Sequence, residues 1–147
     1  MQFTIPLNPV TKKNSSRIIN FGRIICPFCK RKEHHKVIPS KQYVDYCEKC
    51  EPYLMKYENL HINYTVNVKL LYYMKTKRKV DLPNLINGTL DMFVDYGVLA
   101  DDNRNIVYST DGSRVLWDKE NPRTEVTIEP IDEDMEWWGK KEGRKKK

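Results

Sequence analysis

Between Ile62 and Leu70 the chain alternates strictly: Ile62, Tyr64, Val66, Val68 and Leu70 are interleaved with Asn63, Thr65, Asn67 and Lys69, and Tyr72 continues the apolar series. Period two is the pattern of a long extended strand with one buried face. Such a strand commits the chain to a sheet and obliges another element to cover that sheet. Cover follows at once. Leu82, Leu85, Ile86, Leu90, Phe93 and Val94 recur at helical spacing over 82–96, with Pro83 in the first turn and Gly97 as the stop. The opposite stripe of that helix carries Asn84, Asn87 and Asp91. An earlier helix is signalled by Pro39-Ser40, with Ser40 as N-cap and Tyr43, Tyr46, Cys47, Cys50, Leu54 and Tyr57 on one face. Pro52 should kink or interrupt it.

Shorter strands are read at Gln2–Leu7, Ile106–Ser109, Val115–Trp117 and Thr124–Ile128, the second and third joined by the turn Thr110-Asp111-Gly112. Arg17–Ile25 reads as a hairpin around Asn20-Phe21-Gly22. The order β-β-α-β-α-β-β-β describes an α+β domain with two main helices on a mixed sheet. At 147 residues the chain holds one such core. Residues 1–130 form the expected domain, with a cysteine insert at 26–50. Residues 131–147 form a flexible tail, first acidic (Asp132, Glu133, Asp134, Glu136) and then basic. Trp137 and Trp138 in that tail either dock on the sheet or stack on a base.

The formal charge is +6 and the pI about 9.1, but residues 139–147 contribute six positives and one negative, or +5. Basic character elsewhere is therefore local, in Lys75, Lys77, Arg78 and Lys79, and in Lys30, Arg31, Lys32 and Lys36. Runs like these are either solvated surface or phosphate contacts. The sequence has neither an apolar stretch long enough to cross a bilayer nor a secretory signal, so a cytoplasmic protein is expected. In a reducing compartment the cysteines are metal ligands or plain thiols rather than disulfides. Cys26-Pro27-Phe28-Cys29 and Cys47-Glu48-Lys49-Cys50 are two C-x2-C pairs at the spacing of a four-cysteine structural Zn2+ site. His34 and His35 stand in reserve. The alternative leaves Cys47 and Cys50 as buried thiols on the helix's apolar face.

Asp81 precedes the second helix, Asp91 lies within it, and Asp101-Asp102 follow it. Carboxylates are the hard oxygen ligands that Mg2+ or Mn2+ takes in phosphodiester hydrolysis. The bland alternative makes Asp81 a helix cap and Asp101-Asp102-Asn103 a turn. If the long strand lies beside the strand entered at Asn103, Asp81 and Asp102 occupy neighbouring ends of the sheet and Asp91 looks down from the helix.

Val80-Asp81-Leu82-Pro83-Asn84-Leu85, the helix carrying Asp91, Gly97-Val98 and Asp101-Asp102-Asn103 together resemble the signature of RusA-type Holliday junction resolvases. Pro9-Val10-Thr11-Lys12-Lys13-Asn14-Ser15 resembles the family's N-terminal motif. Asp111-Gly112-Ser113-Arg114 and Asn121-Pro122-Arg123-Thr124-Glu125 are similar to the form found in phages of Gram-positive bacteria. The resemblance implies a Mg2+-dependent crossover junction endodeoxyribonuclease that acts in DNA recombination and repair, working as a homodimer on branched DNA. It also implies that Asp81 and Asp102 bind the metal, with Asp101 beside Asp102, and that Asp91 or Asn84 completes the set. Lys79 or Lys77 would assist, and Lys12, Lys13, Asn14, Lys75, Lys77 and Arg78 would hold DNA. Two positions depart from the pattern: Pro83 stands where a second aspartate is usual, and Asn87 where a lysine can occur. They leave two rivals, a non-catalytic DNA-binding module of the same fold and a zinc-ribbon interaction adaptor.

Overall fold

The computed structural model describes residues 1–12, 17–20 and 35–131. Lys13, Asn14, Cys26, Cys29, the run Lys30-Arg31-Lys32, His34 and the tail with Trp137 and Trp138 lie outside them. The described elements are β1 (Gln2–Ile5), β2 (Arg17–Asn20), β3 (His35–Ile38), α1 (Lys41–Leu54), β4 (Val66–Met74), α2 (Leu82–Asp95), β5 (Val107–Ser109), β6 (Arg114–Trp117) and β7 (Arg123–Pro130). The fold is α+β, with two helices on one face of a mixed five-stranded sheet.

The sheet is organised around β4. On one side β4 pairs antiparallel with β7, which in turn pairs antiparallel with β1. On its other side β5 and then β6 lie end to end, both parallel to β4. Val66, Val68, Leu70 and Tyr72 on β4, Ile5 on β1 and Val126 and Ile128 on β7 are buried beneath the helices. From α1 come Tyr46, Cys50 and Leu54, and from α2 Leu85, Leu90, Met92 and Phe93. Each large side chain fully buried this way contributes about 1.5–3 kcal/mol.

The boundaries of α2 match the sequence reading closely, because strong signals fix both ends. After Asp95 the chain closes in a Schellman turn. The Val98 amide donates to the Phe93 carbonyl at 2.8 Å and the Gly97 amide to the Val94 carbonyl at 3.1 Å, with Gly97 at φ +69°. A Cβ on Gly97 would stand 2.4 Å from the Glu58 carbonyl oxygen, so glycine is required twice over. In α1 the Ser40 hydroxyl accepts from the Tyr43 amide at 3.2 Å, as the N-cap reading expects. Pro52 does not end that helix. It lies so near the C-terminus that the helix runs on to Leu54 and tightens into a 3-10 turn over Met55–Tyr57.

Two expectations are corrected. The long strand starts at Val66 rather than Ile62: Tyr64 is 54% exposed, so the alternation there reports no buried face, and Ile62 makes only an isolated parallel bridge to Leu99. The partner of β2 is β3, with Asn20 opposite His35, rather than residues 23–25. The turn expected at Thr110-Asp111-Gly112 is present, with the Ser113 amide donating to the Thr110 carbonyl at 3.1 Å and Gly112 at φ +83°, and it joins two strands that both run parallel to β4. The Asn67 side chain accepts from the Asp111 amide (2.8 Å) and the Ser109 hydroxyl (2.6 Å) and donates to the Asp111 carbonyl (3.3 Å). The Ser113 hydroxyl then accepts from the Leu70 amide at 3.0 Å, filling the gap in the ladder where β5 stops and β6 begins.

Candidate active site

Asp81 is the N-cap residue of α2, yet its carboxylate does not cap that helix. Pro83, at the second helical position rather than the first, removes one of the two amides an N-cap side chain can accept from. The Asp81 carboxylate instead accepts from the Asn84 side chain at 3.2 Å and stays exposed. Beside it the run Lys75, Lys77, Arg78 and Lys79 is exposed. The Lys75 amide is pinned to the Asn8 side chain at 2.8 Å, and the Lys77 ammonium lies 4.3 Å from the centre of the Trp117 ring. Arg123 lies close by, stacked over Tyr73 at 3.7 Å, but its guanidinium is already engaged by Asp118 and Glu125.

Asp91 sits ten residues further along α2, a rise of roughly 15 Å. It is ion-paired with Lys12, Nζ to Oδ2 at 2.6 Å. Gly88 makes this meeting possible, since a Cβ there would lie 3.3 Å from Lys12 Cβ and 3.2 Å from the Tyr43 ring. The Tyr43 hydroxyl donates to the Gly88 carbonyl at 2.7 Å, and burial pushes that phenol well above its ordinary pKa. The charge of Lys12, expected to hold DNA, is thus committed to a carboxylate.

Asp101 and Asp102 follow a segment locked by the Ile62 amide on the Val98 carbonyl (3.1 Å) and the Ala100 amide on the Ile62 carbonyl (3.0 Å). Both Asp101 oxygens are used, one by the Asp102 amide at 2.7 Å and one by the Asn103 side chain at 2.8 Å. The hydrogen bond from Asn103 leads in holding the Asp101 carboxyl below the usual range. The Asp102 carboxyl is held above it, first by partial desolvation, then by its bond with Asp101 and the negative charge of Asp91.

Asp91 and Asp102 therefore belong to one neighbourhood, and Asp81 does not. The expectation that Asp81 and Asp102 share adjacent sheet ends is corrected by strand direction. Because β5 runs parallel to β4, Asp102 enters at the Val66 end of β4, whereas Asp81 follows its Met74 end. Among the described residues no group of three or more His, Cys, Asp or Glu side chains is gathered to hold a metal ion. The donors have the right chemistry for Mg2+, but within a single chain their placement does not fit one ion. Sequence reasoning named Asp81, Asp91, Asp101 and Asp102 as candidates and missed two contacts: Lys12 on Asp91 and Trp117 on Lys77. Gly88, the small residue that admits Lys12, was the available signal for the first.

Of the four cysteines, Cys50 is fully buried in the core and Cys47 is half-buried. Burial leads in raising both thiols, Cys50 to about 12. The other two cysteines lie outside the described residues. No helix among the described residues is long and apolar enough to cross a membrane.

No curated protein matches the chain. Residues 6–129, which span all the elements from β2 to β6, both helices and nearly all of β7, match the family of the endodeoxyribonuclease RusA, and the chain belongs to that family.

Proposed function

We propose that the chain is a Mg2+- or Mn2+-dependent endonuclease that nicks four-way DNA junctions as a symmetric homodimer, each active site drawing on two copies. The observation that carries this reading is that, in a family of endodeoxyribonucleases, Asp81 stands ten residues from Asp91 along α2 and at the opposite end of β4 from Asp102. Hydrolysis of a phosphodiester needs those carboxylates at one point. A two-fold axis across α2 brings the Asp81 end of one copy to the Asp102 end of the other, and by symmetry does so twice. Two equivalent sites suit a four-way junction, which is itself nearly two-fold.

In this reading Asp81 of one copy would face Asp91 and Asp102 of the other, and these residues would hold a divalent cation that would supply Lewis acidity at the scissile phosphate. Asn84 orients Asp81 through its 3.2 Å hydrogen bond. Asp101, fixed by two hydrogen bonds, positions the Asp102 backbone. Lys75, Lys77, Arg78 and Lys79 hold the DNA backbone next to Asp81, with Lys79 the nearest of them in sequence to Asp81. Lys12 balances the charge of Asp91.

The test is cleavage of a synthetic four-way junction. The parent chain should cut with Mg2+ or Mn2+, and Asp81→Asn and Asp102→Asn should bind the junction without cutting it. Binding without cleavage by the parent favours the non-catalytic module. Undiminished cutting by either variant removes that residue from the site. The four-cysteine zinc site is a separate proposal, supported by the two C-x2-C pairs. One zinc per chain that is lost in Cys26→Ser establishes it, and a zinc-free folded chain leaves Cys47 and Cys50 as structural thiols.

A further inference from the structure

Trp117 closes β6 with 51% of its surface exposed. Its register partner on β4 is Met74, two residues beyond the buried Tyr72, and side chains two apart on a strand share a face. Val115, two residues before Trp117, packs against the core on that same face. The indole therefore stands on the helix side of the sheet, past the last buried layer, at the end where α2 begins with Asp81. One aromatic face is covered by the Lys77 ammonium at 4.3 Å, and Lys77 belongs to the exposed run Lys75, Lys77, Arg78 and Lys79.

An aromatic plane next to lysines is the combination that binds an unstacked nucleobase together with its phosphate. Every base has a π-face for the ring to meet, and the ammonium neutralises the backbone beside it. We infer that Trp117 and Lys77 form a stacking platform for a nucleobase displaced from its stack at the branch point of a DNA junction. This inference rests on the branched-DNA reading above and adds to it a residue that selects structure rather than sequence. In a continuous duplex each base is already stacked on two neighbours and offers no free face. At a branch point, stacking is interrupted, and a base turned onto Trp117 regains a partner while Lys77 moves from the indole to the adjoining phosphate. The platform would thereby favour junctions over duplexes at the end of the site that carries Asp81.

The experiment uses the full chain with Ca2+ replacing Mg2+, so that binding is read without cleavage. The probes are a four-way junction with 2-aminopurine at the branch point and a linear duplex of the same sequence. The parent should bind the junction and change the 2-aminopurine fluorescence. Trp117→Ala should lose that change and weaken junction binding by roughly ten-fold, the scale of one base–aromatic stack, with duplex affinity unchanged. Trp117→Phe should recover most of both signals. Equal junction affinity and an equal fluorescence change for Trp117→Ala overturn the platform and leave the nuclease reading intact. A parent that binds junction no better than duplex overturns the branched-DNA reading and the platform with it. A Trp117→Ala chain that loses self-association while keeping its fluorescence signal assigns the indole to an interface between copies, against the inference.

Discussion

The two ends of α2 are built for different work. At its start Asp81 is exposed, uncapped and accompanied by lysines that mostly point to solvent. Towards its finish Asp91 is ion-paired, the chain is locked by the Schellman turn and the Ile62–Leu99 bridge, and Phe93, Val98 and Leu99 are buried. One end presents positive charge and an open carboxylate; the other holds acids within a rigid frame. Among the described residues neither end alone gathers three metal-ligating side chains. The first presents the Asp81 carboxylate, which accepts from the Asn84 side chain, and at the second Asp91 is paired with Lys12 and Asp101 is held in a turn.

If both ends serve one reaction, losing a carboxylate at either should be equally severe. Asp81→Asn and Asp102→Asn are each expected to reduce junction cleavage by more than the roughly 10–100-fold typical of residues that only support a metal ligand. Measured single-turnover rates that differ widely between the two would break the symmetry of the account. Stability should divide the ends the other way. Phe93→Ala should cost about 3–5 kcal/mol in urea unfolding, whereas Trp117→Ala, half-exposed at the other end, should stay within about 1 kcal/mol of the parent. A large loss from Trp117→Ala would show that the open end also carries the fold. Gly97→Ala comes next, destabilising by more than about 1 kcal/mol because an alanine meets both a positive φ and the Glu58 carbonyl. An unchanged midpoint would mean that the turn can relax. The smallest effect sharpens the electrostatic contrast. Lys79→Gln should lower the slope of log affinity against log salt by about 0.9 for duplex DNA, and Lys12→Gln, whose charge already meets Asp91, should leave it unchanged.

Much of this was legible in the sequence wherever the signal is local. The Gly97 stop, the Ser40 cap and the apolar stripe of α2 each act within a turn or two, and the helices lie where those residues put them. Strand direction was not legible. Thr110-Asp111-Gly112 signals a turn, but the direction in which β5 and β6 run along β4 rests on contacts such as that of the Asn67 side chain, more than forty residues distant. The β2–β3 pairing was hidden for a similar reason: Asn20-Phe21-Gly22 suggests a nearer partner than the His35–Ile38 segment that β2 takes. The site inherits the same limit. Residue types named the carboxylates, but which of them meet depends on whether β5 runs with β4 or against it, and no local pattern encodes that.

The central claim is that Asp81 and Asp102 act in one site supplied by two copies. Mixing the Asp81→Asn and Asp102→Asn chains, each inactive alone, tests it directly. A mixed dimer then carries one site lacking both carboxylates and one site intact. With about half of the dimers mixed and one of their two sites whole, nicking should return to roughly a quarter of the parental rate. A mixture that exchanges subunits yet remains as inactive as its components would place both aspartates in the same chain's site and contradict the account.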